Sequence, residues 1–494
     1  MSGPFPIPST ELFLARRTFL KLAGGAAFLA ACGDGNGGGG GTDNASPTTD
    51  AAPAPRLVLD PDTPWWLQGN YAPVTKEVEA FDLAVTGALP PALAGLYVRN
   101  GSNPATGSSP HWFLGDGMVH GIHLEGGKAR AYRNRWVKTP LYEQRAEFAD
   151  LSVGAPGDGV SQSNVSVIHH HGKLLTLGEV GWPYELSADD LATVGPHELV
   201  GPGTLGPNVT AHPKRDPDTG KLHFFGYGFV APYLTYYVAA ADGTLELAQQ
   251  VDVAGPTMIH DFAITDRDAI FWEFPVVFDF DAAVNGGDFP FRWEPSYGSR
   301  IGIMPLEGPT SAIRWVEVDD QFVFHGTNAF RDGDEIVVDV NRQQSAFAPG
   351  GDPPGSLLHR WRIDTSGPEL RWREEQLSET WMDLPRIDER HTGRKHGRGY
   401  YASFTDTVDE GLQFRGVVGF DPKTGEEDAW VPHEALHAGE VVFVPDGDDA
   451  GPDEGWLLTY VYDRRTEQSA FTVLDATDLA SGPVASVTLP QRVP

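Results

Sequence analysis

His212, His260 and His325 are the residues from which chemistry is most readily built in this 494-residue chain. Each lies in a short segment of β-forming and turn residues: Asn208-Val-Thr-Ala-His-Pro-Lys214, Met258-Ile-His-Asp-Phe-Ala-Ile-Thr265 and Phe322-Val-Phe-His-Gly-Thr-Asn-Ala-Phe330. Neutral imidazole is the commonest metal ligand near neutral pH. Separations of 48 and 65 residues (212 to 260, 260 to 325) are too long for one helix or one hairpin to present all three. A fold that returns repeatedly to one axis could do so. The spacing therefore points to an all-histidine metal site on the axis of a β-propeller. Taken singly, any of the 16 histidines would be read as a hydrogen-bonded core residue. The segment around each of these three is what favours ligation.

The elements that must position them are strands. Short β-rich runs recur throughout, among them Leu222-His-Phe-Phe-Gly-Tyr-Gly-Phe229, Glu335-Ile-Val-Val-Asp-Val340 and Trp456-Leu-Leu-Thr-Tyr-Val-Tyr462. Between runs stand Asp/Gly turns such as Asp216-Pro-Asp-Thr-Gly220, Leu124-Glu-Gly-Gly127 and Asp421-Pro-Lys-Thr-Gly425, which mark hairpins. No long helix, internal linker or strict repeat is evident after Pro64. The fold class is all-β, and residues 64–494 suit one propeller with long inter-strand insertions better than a sandwich.

With 68 acidic and 36 basic residues the net charge is −32. That excludes nucleic acid as a partner and makes anionic lipid surfaces repulsive. Cys32 is the only cysteine, so neither an internal disulfide nor a thiolate metal site is available. No P-loop or GxSxG pattern is present. A Ca²⁺-dependent propeller hydrolase would need carboxylate ligands where histidines stand.

Residues 1–31 read as a signal peptide. Arg16-Arg17-Thr-Phe-Leu-Lys21 resembles a twin-arginine export signal. The apolar run Leu22–Ala31 is too short to span a bilayer. It ends Leu29-Ala-Ala-Cys32, like a bacterial lipoprotein signal whose cysteine is lipidated, so an acyl chain would supply the membrane affinity that charge withholds. Residues 32–63, with Gly37-Gly-Gly-Gly-Gly41, form a flexible tether of roughly 25 Å reach. The implied location is outside the cytoplasm, on the outer face of the cytoplasmic membrane or in the cell envelope.

Several segments together resemble the carotenoid cleavage oxygenase family, over essentially residues 65–494. They are Leu96-Tyr-Val-Arg-Asn-Gly-Ser-Asn-Pro104, Trp112-Phe-Leu-Gly-Asp-Gly-Met-Val-His120, the three histidine segments, Leu384-Pro-Arg-Ile-Asp388 and Gly439-Glu-Val-Val-Phe-Val-Pro445. The resemblance implies a seven-bladed β-propeller with a helical and loop cap. It implies one non-haem Fe(2+) per chain, held on the axis by four histidines. The expected reaction is cleavage of a C=C bond of an apolar polyene or stilbene with O2, giving two carbonyls, by a monomeric enzyme. Family carboxylates that hydrogen-bond the ligating imidazoles map onto Glu179, Asp383 and Glu440. Asp383 stands where the family has Glu, which predicts a longer or water-bridged contact to its histidine.

The family's fourth histidine follows an Arg-Val-Pro-like stretch, and this sequence stops at Gln491-Arg-Val-Pro494. The expectation is therefore a truncated chain whose fourth ligand lies beyond residue 494; were Pro494 the terminus, Glu440 would be left unpartnered and the innermost strand of the last blade incomplete. The stilbene-cleaving branch carries a phenolate-binding lysine where this chain has Gly178. That favours a carotenoid or apocarotenoid and predicts a wider pocket beside the metal. The alternatives are a lignostilbene-type phenylpropanoid dioxygenase and a non-catalytic exported propeller that binds an apolar ligand. His169-His-His171, His433 and His437 read as turn or loop residues. No chemical role is assigned to His111 and His120.

Overall fold

The computed structural model describes residues 59–146, 160–285, 289–348, 355–404 and 412–494. Residues 1–31, read above as a signal peptide, Cys32 and most of the tether assigned to 32–63 lie outside the described residues. Antiparallel sheets in chain order make seven blades around one axis. The strands nearest the axis are Gly95–Ser102, Ser166–His170, Lys214–Arg215, Ala263–Ile264, Phe322–Asp332, the later half of Arg371–Arg386, and Leu436–Ala438 with Val442–Pro445. The fifth and sixth blades form one continuous seven-stranded sheet because the 16-residue strand Arg371–Arg386 serves both.

Turn chemistry explains the hairpins. Asp216 Oδ1 accepts from the amides of Asp218 (2.8 Å) and Thr219 (3.0 Å), and Gly220 closes the turn at φ 70°. Gly126 and Gly127 (φ 57° and 71°) join Gly117–Glu125 to Lys128–Trp136, as a two-residue hairpin requires. Alternate residues of the strands fill the space between blades. Trp272 and Trp361 meet edge-on at 5.8 Å there, both almost wholly buried.

The ring closes through its ends. Val85–Gly87 adds as the outermost strand of the last blade, against Pro483–Thr488. That blade carries Leu436–Ala438 and Val442–Pro445 on its axis side, which corrects the expectation of an incomplete inner strand. The cap is mostly loops. Among the described residues its regular elements are two short helices, Pro140–Gln144 and Phe280–Asn285, single 3-10 turns, and the hairpin of Val276–Phe278 with Phe291–Trp293. No helix among the described residues is long and apolar enough to cross a membrane.

Candidate metal centre

Three consecutive blades each deliver one histidine at the axis. His212 precedes Lys214–Arg215, His260 precedes Ala263–Ile264, and His325 lies within Phe322–Asp332, where the register shifts between Val323 and Gly326. One nitrogen from each ring lies within 4.8 Å of the others, the only such cluster of metal-ligating side chains among the described residues. His212 Nε2 and His260 Nε2 are 2.9 Å apart. Two ligands at a right angle around a metal, with bonds of about 2.1 Å, have that spacing. Burial, then the neighbouring His260 and His325, hold His212 well below the usual imidazole pKa, in the neutral form a metal needs.

The second ring nitrogens of His260 and His325 face carboxylates. His260 Nδ1 is 3.0 Å from Glu179 Oε2, and Tyr227 donates to Glu179 Oε1 at 2.9 Å. His325 Nδ1 is 2.8 Å from Asp383 Oδ1. Burial opposes protonation of His325, but the Asp383 charge and hydrogen bond outweigh it and raise its pKa. Asp383 therefore reaches its histidine directly, against the expectation of a longer or bridged contact. Its carboxylate is fixed by the Leu384 amide (2.7 Å) on Oδ1 and the Ser356 hydroxyl (2.9 Å) on Oδ2. Leu384 adopts φ 56°, a left-handed turn that breaks the strand register between Asp383 and Arg386.

His260 and His325 open onto a cavity of about 510 Å³. Its wall is aromatic: Trp66, Tyr71, Trp112 and Phe113 come from the N-terminal segments, and Phe229, Phe278, Phe289 and Phe291 from the cap. Phe229 and Phe278 stack at 4.0 Å, and His111 stacks on Phe289 at 4.3 Å. Arg99 is the only Lys or Arg among the described residues that line the cavity.

The family model described as Retinal pigment epithelial membrane protein matches residues 71–494. A carotenoid cleavage oxygenase of Mycobacterium tuberculosis is 35% identical, covering 87% of this chain and 95% of the relative. The chain belongs to the carotenoid cleavage oxygenase family. Members of this family are iron-dependent, and the histidine cluster is where this member could hold the metal. An isoeugenol monooxygenase of Pseudomonas nitroreducens is 31% identical over 86% of this chain and 95% of the relative. The crystal structure of the Pseudomonas brassicacearum lignostilbene dioxygenase superposes with a TM-score of 0.79 at 29% identity, covering 88% of this chain and 98% of that one.

Other sequence-level assignments to this oxygenase fall differently. Glu440 lines the cavity, but its Oε1 accepts from Arg386 Nε (2.7 Å) and Nη2 (2.6 Å), so it is a paired carboxylate and not the unpartnered one anticipated. Gly178 is not among the described residues that line the cavity, and a Cβ there would sit 3.0 Å from Ser161 Oγ and the Ser163 amide. His170 and His437 are buried, not exposed turn or loop residues. His120 Nδ1 meets the Tyr132 hydroxyl at 2.8 Å inside the first blade. His111 Nδ1 accepts from the Phe113 amide at 3.3 Å. The Tyr227 contact to Glu179 and the aromatic wall carried no short-range signal: their members converge only once the blades assemble.

Proposed function

We propose that this oxygenase splits one C=C bond of a carotenoid or apocarotenoid with O2, the two oxygen atoms ending in two carbonyl products. The observation that carries this reading is a three-imidazole cluster, two members of which open onto an aromatic cavity with no lysine among the described residues of its wall. His212, His260 and His325 would hold one Fe(2+), the set being single among the described residues. When bound, the iron supplies the place where O2 is taken up and made reactive toward the double bond. Glu179, 3.0 Å from His260 Nδ1, and Asp383, 2.8 Å from His325 Nδ1, would hold the Nδ1 protons and leave Nε2 of each ring for the metal. The rings of Trp66, Tyr71, Phe229 and Phe289 give a flat apolar substrate offset-stacked contacts and exclude water.

The test is product analysis. Iron-reconstituted protein supplied with an apocarotenal and O2 should yield two shorter carbonyl compounds, resolved by liquid chromatography with mass spectrometry. Intact polyene after many equivalents of time, with isoeugenol or a hydroxylated stilbene consumed instead, would transfer the assignment to phenylpropanoids. The isoeugenol and lignostilbene relatives favour that second reading. A chain that retains polyene without consuming it would be a carrier.

The working unit is taken as an exported monomer, lipidated at Cys32. The supports are Arg16-Arg17, the short apolar run and the Leu29-Ala-Ala-Cys32 ending.

A further inference from the structure

Each histidine segment carries a companion residue that the metal reading leaves unused: Lys214 two residues after His212, Asp261 next to His260, and Gly326 next to His325. These companions meet one another. Lys214 Nζ lies 2.7 Å from Asp261 Oδ1, and the Gly326 amide donates to Asp261 Oδ2 at 2.9 Å. The Phe262 amide also donates to Oδ1, at 2.8 Å. The Asp261 side chain is 2% exposed, yet its charge is offset by Lys214 and both oxygens are satisfied. Neither Asp261 nor Lys214 is among the described residues that line the cavity.

Only glycine suits position 326. A Cβ there would stand 2.9 Å from the Trp272 ring, whose indole nitrogen is itself tied to the Val323 carbonyl at 3.2 Å. The backbone of the His325 segment can therefore approach Asp261 closely.

His212 needs such an arrangement most. Among the described residues no carboxylate is paired with it, whereas Glu179 and Asp383 lie 3.0 and 2.8 Å from Nδ1 of the other two rings. Its ring packs on those of His260 and His325, and the ion pair nearest to its backbone in sequence is that of Lys214.

We propose that Asp261 is a positioning residue: one buried carboxylate clasps the His212, His260 and His325 segments of three blades and sets the spacing of their imidazoles. This rests on the three histidines being the metal ligands. Hydrogen-bonded groups behind metal ligands typically change affinity 10–100-fold when removed.

The experiment is Co²⁺ titration of the metal-stripped full chain, followed by competition with a chelator and by the visible Co²⁺ spectrum, with the unfolding midpoint of the stripped form recorded in parallel. Asp261→Asn should bind Co²⁺ 10–100-fold more weakly with an altered spectrum. Lys214→Met should lose several-fold, and Lys214→Arg should keep nearly all affinity. The double variant Asp261→Asn/Lys214→Met should be no worse than Asp261→Asn, because the two act as one unit. An Asp261→Asn protein with a lowered unfolding midpoint but wild-type affinity and spectrum would make the residue structural only and overturn the proposal. Should that variant not fold, Lys214→Met decides: wild-type affinity overturns the proposal, and a several-fold loss supports it. A wild-type chain that takes up no Co²⁺ would instead overturn the metal-centre reading, and the proposal with it.

Discussion

A carboxylate on Nδ1 decides which nitrogen of an imidazole is left for a metal. Replacing Glu179 by Gln keeps the shape, removes the charge and leaves Tyr227 a neutral partner. Iron affinity should fall 10–100-fold, read by chelator competition. Unchanged affinity would remove Glu179 from the site. Asp383→Glu restores the family's usual residue, yet it should also weaken binding, because the shorter carboxylate is already seated between His325, Ser356 and the Leu384 amide. Tighter binding in that variant would contradict the geometry. The ligand candidates were legible because each sits in a segment with its own character. The direct reach of Asp383 was not, because it depends on the left-handed turn at Leu384, which is unusual for a non-glycine. Nor was the partner of Glu440, since Arg386 lies 54 residues away.

Two glycines separate conformational need from close approach at the scale of the strand. Gly87 (φ 77°) would place a Cβ 2.3 Å from the Val484 carbonyl, while Gly172 (φ 78°) has open space around it. Gly87→Ala should cost about 1–3 kcal/mol more than Gly172→Ala, which carries only the left-handed penalty of about 1 kcal/mol. Urea midpoints of the two variants, at equal slope, measure the difference. Equal losses would mean that Val85–Gly87 is not a stabilising edge. The Asp-Pro-Xaa-Thr-Gly turns were readable one by one, because their side-chain and φ requirements are local: Asp421 accepts from Lys423 at 2.8 Å and Gly425 adopts φ 75°, as at Asp216 and Gly220. The boundary between the fifth and sixth blades was not readable, because no turn marks it. Arg371–Arg386 runs through it as one strand.

Charge and anchor oppose each other over the whole molecule. At net −32 the protein has no electrostatic reason to stay on an anionic membrane, so the proposed attachment depends on acylation alone. Cys32→Ala should move the protein from the membrane pellet to the soluble fraction, with its unfolding midpoint unchanged. Continued pelleting would end the lipoprotein reading. The propeller architecture was legible from length, turn density and ligand spacing, whereas the way the ring shuts was not, since it joins segments with no local signal. That joint has a consequence for biosynthesis. Val85 pairs with Val487, about 400 residues later. At roughly 5–20 residues per second, a ribosome needs about 20–80 s to make the intervening chain. Throughout that interval the Val85–Gly87 edge has no native mate, and unpaired edges invite wrong pairing. The nascent protein is thus an open fan that becomes a disc only near the end of synthesis, so any chaperone demand falls on that late, long-range step.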